Sequence, residues 1–486
     1  MSKKLIAAAL ISGAALFCTS AAGLAADRAE NRLPLLTTDM ALQLAYKNNP
    51  SLSAAQSRIE QAKQQIRQAQ ADKLPHLYAS LAGQWQDKEG VIPVYAPQLA
   101  HTASAVGYAT HSFDEVYNAA LGFQWLLFSS GAVENLTAAR KLAYRGIRAK
   151  EVRTGQSVEN SVRVCYYDLQ RARAKLTVAE EVLALSKEHL SQVEYFYKYG
   201  VVAQDEVLRV QVDVSNGELN VISARNAVDV RWRALERAVG VTLRDRYSMP
   251  QPEMKSAARP VPVWDDSSLY SWRPELQALA YSREAADAAA AAAAGSNGPK
   301  IVVAGEGFNQ GLEFWPDDLD TWKISVGLRW DFYDGGKSHA QVKEYRARAQ
   351  ELLSQIEDLK KQISLEVSSA QLNYESARQR IDVAARQVAS AQEDYRMALM
   401  RYKANVGTNL DVLDARTALT NARTQLVDAV YDTDSSRANL DYALGLSDKY
   451  MLDSAAPPKY AGPGAAPEKA PARKKNTMPG KASDKK

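Results

Sequence analysis

From Gly336 to Tyr402 the chain reads GKSHAQVKEYRARAQELLSQIEDLKKQISLEVSSAQLNYESARQRIDVAARQVASAQEDYRMALMRY. Proline is absent, and so is glycine after Gly336. One apolar seam runs its length: Leu352, Ile356, Leu359, Ile363, Val367, Ala370, Tyr374, Ala377, Ile381, Ala384, Val388, Ala391, Tyr395, Ala398 and Tyr402. The mean step is about 3.57 residues, between the coiled-coil 3.5 and the straight-helix 3.6, which predicts a long helix with slight supercoil. At the helical rise it extends roughly 100 Å. That is too long for a compact globule and suits the wall of a tube. Alanines on the seam let neighbouring helices pack closely. A comparable run spans Ala132 to Tyr197, with Gly146 and Gly155 near its start.

The second run is a duplicate of the first. Trp125-Leu-Leu-Phe128-Ser-Ser-Gly131 matches Trp330-Asp-Phe-Tyr333-Asp-Gly-Gly336 at an offset of 205. Tyr197-Lys-Tyr-Gly200-Val201 matches Tyr402-Lys-Ala-Asn-Val406, and Ala238-Val-Gly240 matches Ala443-Leu-Gly445, at the same offset. Asn49-Pro50 matches Arg273-Pro274 at 224, so the first half carries a longer loop between Trp85 and Val116. Each half reads as a helix, a strand, a loop, a strand and two long helices.

The strands alternate. Trp322, Ile324, Val326, Leu328, Trp330 and Phe332 share one face, and Lys323, Ser325, Gly327, Arg329 and Asp331 the other. Ala119, Leu121, Phe123, Trp125 and Leu127 oppose Asn118, Gly122 and Gln124; Leu77, Leu81 and Trp85 oppose Tyr78, Ser80, Gln84 and Gln86. Ile301–Phe308 is a weaker strand. A strand of about ten residues crosses a bilayer when tilted, and Trp85, Trp125, Trp322 and Trp330 fit an aromatic girdle. A soluble half-buried sheet favours the same residue types.

The ends differ from the body. Lys3 and Lys4, an apolar run from Leu5 to Phe17 and small residues before Asp27 mark a secretory signal peptide over 1–26. Phe17 before Cys18 disfavours acylation there, and cleavage leaves Cys165 alone. No later apolar stretch reaches 18 residues, so a membrane location requires a closed β-barrel. The repeats are expected over 27–248 and 273–453, joined by a Pro-rich linker, 249–272. The tail, 454–486, holds seven Lys and Arg473 against Glu468 and Asp484. With that tail and Lys3 and Lys4 set aside, the net charge of +4 becomes a mildly acidic body, which excludes nucleic-acid binding. The five His are scattered, and no phosphate loop, nucleophile elbow or paired-His motif occurs, so no enzyme and no metal or other cofactor is expected. The acids of Trp315-Pro-Asp-Asp-Leu-Asp320 are read as a solvated loop rather than a Ca²⁺ site.

Ala41-Leu-Gln-Leu-Ala45 with Asn48-Asn-Pro50, the Phe128–Gly131 and Tyr333–Gly336 turns, and Tyr402-Lys-Ala-Asn-Val-Gly-Thr-Asn-Leu-Asp-Val-Leu-Asp-Ala415 complete the pattern. In this order, duplicated, they resemble the TolC-like outer membrane efflux protein family over essentially the whole mature chain. The resemblance implies a mainly α fold with transmembrane β: long coiled-coil-like helices forming an α-helical barrel, plus four membrane strands per chain that make a 12-stranded β-barrel as a homotrimer. It implies an outer membrane channel with its helical tunnel in the periplasm. Its partners would be a periplasmic adaptor (membrane fusion) protein, an inner-membrane RND or ABC transporter and outer membrane lipid. Small-molecule efflux and type I protein secretion stay open, and a soluble periplasmic coiled-coil adaptor or scaffold is the alternative. The helix–helix turns become the adaptor-docking tips: Tyr197, Gly200 and Val201 in one, Tyr402, Val406 and Gly407 in the other. Asp205, Glu206, Asp411 and Asp414 beside them are the candidate channel aperture, since a trimer turns each inward carboxylate into a ring of three that favours cations. The same acids also suit helix N-termini. Some family members carry an Arg at the second tip; Thr408-Asn409 stands here, which puts a closing salt bridge at that place in doubt.

Overall fold

The computed structural model describes residues 33–85, 115–254, 256, 264–311, 314 and 319–450. The expected signal peptide with Cys18, the tail from 454 and most of the acidic loop at 315–320 lie outside the described residues. The first repeat comprises α1 (Thr38–Asn48), α2 (Pro50–Ala71), β1 (His76–Trp85), β2 (Glu115–Phe128), α3 (Ala132–Lys198) and α4 (Gln204–Val239). The second comprises α5 (Asp266–Trp272), α6 (Pro274–Ser296), β3 (Lys300–Gly311), β4 (Leu319–Arg329), α7 (Lys337–Lys403) and α8 (Asn409–Leu444).

Where one helix was expected at the start of each half, the structure has two. Pro50 and Pro274 each open the second helix. The residues before them, Asn49 (φ −68°, ψ 123°) and Arg273 (φ −93°, ψ 104°), are extended because a proline ring disfavours the helical conformation in its predecessor. The segment 249–272 accordingly ends in a short helix, α5, the counterpart of α1. Helices α3 and α7 have 67 residues each, about 100 Å of rise. Helices α4 and α8 have 36 residues each, so they accompany only the distal half of their partners.

Two joints extend the shorter helices. Asn49 Nδ2 donates to Ala238 O (2.7 Å), and the Arg273 guanidinium donates to Ala443 O. Gly240 (φ 91°) and Gly445 (φ 78°) end α4 and α8 in the left-handed conformation. A Cβ on Gly240 would stand 2.6 Å from Asn48 O, and one on Gly445 2.5 Å from Trp272 O, so only glycine permits either joint. Helices α2 and α4 thus make one rod and α6 and α8 another. The rods lie side by side in the order α2/α4, α3, α6/α8, α7. Their seams are apolar: Val162, Leu169, Leu235 and Val239 within the first repeat, Ile356, Ile363, Leu440 and Leu444 within the second.

The strands form one antiparallel sheet in the order β1-β2-β3-β4. Strand β1 follows α2, β2 leads into α3, β3 follows α6 and β4 leads into α7, so strand order repeats rod order. The register places Leu77, Phe123, Gly305 and Ile324 in one row and Tyr78, Gly122, Glu306 and Lys323 in the next. The first row belongs to an apolar face open to the surroundings, with Trp322 76% and Leu328 70% exposed. The opposite face is polar and carries the Glu306–Lys323 ion pair (2.7 Å). β4 ends at Arg329, short of the expected Phe332, yet Trp330 and Phe332 remain exposed. Among the described residues no helix is long and apolar enough to cross a membrane.

Candidate functional site: the two hairpin tips

The long helices turn at their distal ends through two loops of the same geometry, 205 positions apart. At the first, Gly200 N–H donates to Tyr197 O (2.9 Å) and Val201 N–H to Phe196 O (2.9 Å). At the second, Asn405 N–H donates to Tyr402 O (3.0 Å) and Val406 N–H to Arg401 O (2.9 Å). Each turn needs one left-handed residue: Gly200 (φ 73°) supplies it in one, and Asn405 (φ 59°), the side chain that best tolerates this region, in the other. Tyr197, Gly200, Val201 and Val406 are exposed, and Gly407 is half-buried. Tyr195 and Tyr199 add a pair of exposed rings in contact, tilted by 52° with centroids 4.7 Å apart.

The four candidate acids are held differently. Thr408 caps α8: its hydroxyl accepts the Asp411 N–H (3.2 Å), and the Asp411 carboxylate accepts the Thr408 N–H (2.9 Å). The backbone N–H and hydroxyl of Thr408 hold the Asp411 carboxyl below the usual range. Asp414 is exposed, with no ion pair or side-chain hydrogen bond among the described residues. Asp205 is exposed and pairs with Arg209 (3.5 Å). Glu206 accepts a hydrogen bond from the Tyr402 hydroxyl (3.2 Å). Tyr402, 6% exposed, is therefore turned inward while its neighbours at the tip face solvent. Burial and then the Glu206 carboxylate push its phenol above the usual range.

Behind the tips the two hairpins are joined. Val193, Val207, Val210, Ala398, Val412 and Ala415 make an apolar cluster with Tyr402. Next to it lie buried polar contacts. His189 Nε2 donates to Asn409 Oδ1 (2.8 Å), Arg416 donates to Ser186 Oγ (2.8 Å), and Arg416 forms an ion pair with Asp213. Sequence reading passes over these groups, because the five His are scattered and form no paired-His motif. The available signal was positional: Asn409, Val412, Arg416, Leu419 and Ala422 follow one helical seam, and two of them are polar.

Further from the tips the contact between α3 and α8 carries ion pairs. Arg171 pairs with Asp432 (2.9 Å), Lys175 with Asp428 (2.7 Å), and Glu181 with Arg423 (3.0 Å). Between these ion pairs Ala174 and Val178 of α3 pack on Val427 and Tyr431 of α8, so the boundary between hairpins is a short apolar cluster flanked by ion pairs. No group of acidic, His or Cys side chains among the described residues has a metal-binding arrangement.

The model of the family described as "Outer membrane efflux protein" matches residues 41–241 and 267–446, one segment in each repeat. The chain is 22% identical over 417 residues to the cation efflux system protein CusC of Escherichia coli (strain K12), covering 82% of this chain and 84% of that one. It is 23% identical over 422 residues to the alkaline protease secretion protein AprF of Pseudomonas aeruginosa, covering 84% of each. A crystal structure of CusC superposes with a TM-score of 0.71 at 19% identity, covering 85% of this chain and 93% of that one.

Proposed function

Because this chain belongs to the outer membrane efflux protein family, and so to the outer membrane channels of efflux and secretion systems, we propose that three copies close into a trimeric duct. The observation that carries this reading is the strip: four strands above four rods, with both edges on the same two flanks. In a bilayer the free backbone groups along β1 and β4 need partners, and a barrel without edges supplies them. Strands β1 and β4 run antiparallel, so β4 of one copy pairs with β1 of the next in the alternation already present. Twelve strands fall within the range of known barrels. The flanking helices carry matching exposed apolar rows, Leu208, Val212, Leu219 and Ile222 on α4 and Leu365, Leu372 and Val383 on α7. The apolar sheet face then meets lipid, which a soluble periplasmic scaffold leaves unexplained.

The duct is a passive exit for a tripartite efflux or type I secretion system, with no chemistry of its own. Its tips dock on a periplasmic adaptor coupled to an inner-membrane RND or ABC transporter, through Tyr197, Gly200, Val201, Val406 and Gly407, with Tyr402 fastening the tip from within. Among its relatives are a cation efflux protein and a protease secretion protein, which fits a conduit whose cargo is chosen by its partners. Asp414, Asp411, Asp205 and Glu206 lie at the aperture, and Asp414 is the free carboxylate among them. The test is single-channel recording in planar bilayers with mass measurement in detergent. A trimer giving discrete cation-selective steps, with selectivity reduced in Asp414→Asn, supports the reading. Protein that stays soluble without detergent and conducts nothing overturns it.

A further inference from the structure

One set of buried contacts draws on all four long helices. Glu206 of α4 accepts from the Tyr402 hydroxyl of α7, the Tyr402 ring meets His189 of α3 edge to face (centroids 5.4 Å), and His189 bonds to Asn409 of α8. His189 is 2% exposed, and its Nδ1 has no hydrogen-bond partner. The charged and titratable groups around it are Glu206 and Asp213 from α4, Tyr395 and Tyr402 from α7 and Arg416 from α8. Glu206 bonds to Tyr402 and Asp213 pairs with Arg416 through Oδ1, its Oδ2 being buried without a partner, and neither carboxylate bonds to Nδ1. A proton on Nδ1 would therefore create a buried cation whose new N–H finds no acceptor, close to the Arg416 guanidinium.

We propose that His189 is a proton-controlled fastener: the neutral ring holds the two hairpins together behind their tips, and its protonation releases them. Burial, ahead of the Arg416 charge, holds the imidazole below the ordinary histidine range. The closed junction thus binds protons less readily than the opened one. It is secure above the ordinary histidine value, about 6.5, and weakens as pH falls below that point. Its effect on the aperture rests on the duct reading above; the fastening itself does not.

The test is hydrogen exchange by mass spectrometry on the full chain in detergent at pH 7.5 and 5.5, corrected for intrinsic rates. In the wild type, peptides over 193–210 and 398–416 should exchange about fivefold to tenfold faster at the lower pH, the ceiling being set because pH 5.5 lies about one unit below the ordinary histidine value, while the seam near Leu169 stays unchanged. His189→Gln, which keeps a neutral donor toward Asn409, should remove the pH response. Asn409→Asp sets a carboxylate against the ring and should reverse it, so that acid tightens the tips. Equal wild-type exchange at both pH values, or an undiminished response in His189→Gln, overturns the proposal. None of these readouts requires the protein to conduct.

Discussion

At the scale of single residues, two positions show how context sets the cost of a side chain. Arg416 is buried on a helix seam with Ser186 and Asp213 as partners. Replacing it by Met leaves the Asp213 carboxylate without its cation. That destabilises by about 3 kcal/mol, the lower end for a broken buried pair, because Asp213 is still partly wet. Thermal denaturation in detergent should show the loss, and Asp213→Asn combined with Arg416→Met should recover part of it. Asn405 supplies the left-handed residue of the second tip, so Asn405→Ala should cost about 1 kcal/mol while Asn405→Gly should be neutral or slightly stabilising. The 205-residue offset already aligned Asn405 with Gly200, so its backbone role was legible in the sequence. The role of Arg416 was not, because its partners come from helices about 200 to 230 positions away.

At the scale of elements, periodicity was a faithful guide. The period-two alternation named the apolar sheet face, and the register confirms it row by row. Ile324→Arg, at mid-strand on that face, should cost about 2–4 kcal/mol, whereas Ser325→Arg on the polar face should cost almost nothing. Refolding yield into lipid vesicles separates the two. Periodicity was blind where it met a local exception. The breaks before Pro50 and Pro274 came from backbone clash, and β4 stopped at Arg329 although alternation ran on to Phe332. Capping chemistry was half visible: Thr408 and Asp411 are three apart, as a capping box requires, so Thr408→Ala should loosen the start of α8 by about 1 kcal/mol. The same bonds engage the Asp411 carboxylate with its own helix.

At the scale of the whole molecule, the strip with two raw edges is the central fact. Leu372 is 66% exposed on α7, so with Leu372→Lys the protomer should fold normally while the mass of the proposed trimer in detergent falls toward that of a monomer. A retained trimer would move the contact between copies elsewhere. The sequence by itself determined the duplication, the helix lengths and the two faces of the sheet. These properties are local or periodic: they depend on residues a few positions apart, or on one comparison at a fixed offset. Only the tertiary structure decided that α2 and α6 continue α4 and α8 as single rods, that the hairpins meet through apolar clusters flanked by ion pairs, and that Tyr402 turns inward to Glu206 while the rest of its tip faces out. Those outcomes depend on which side chains meet across separations of about 170 residues or more, and no pattern along the chain encodes a partner at that distance.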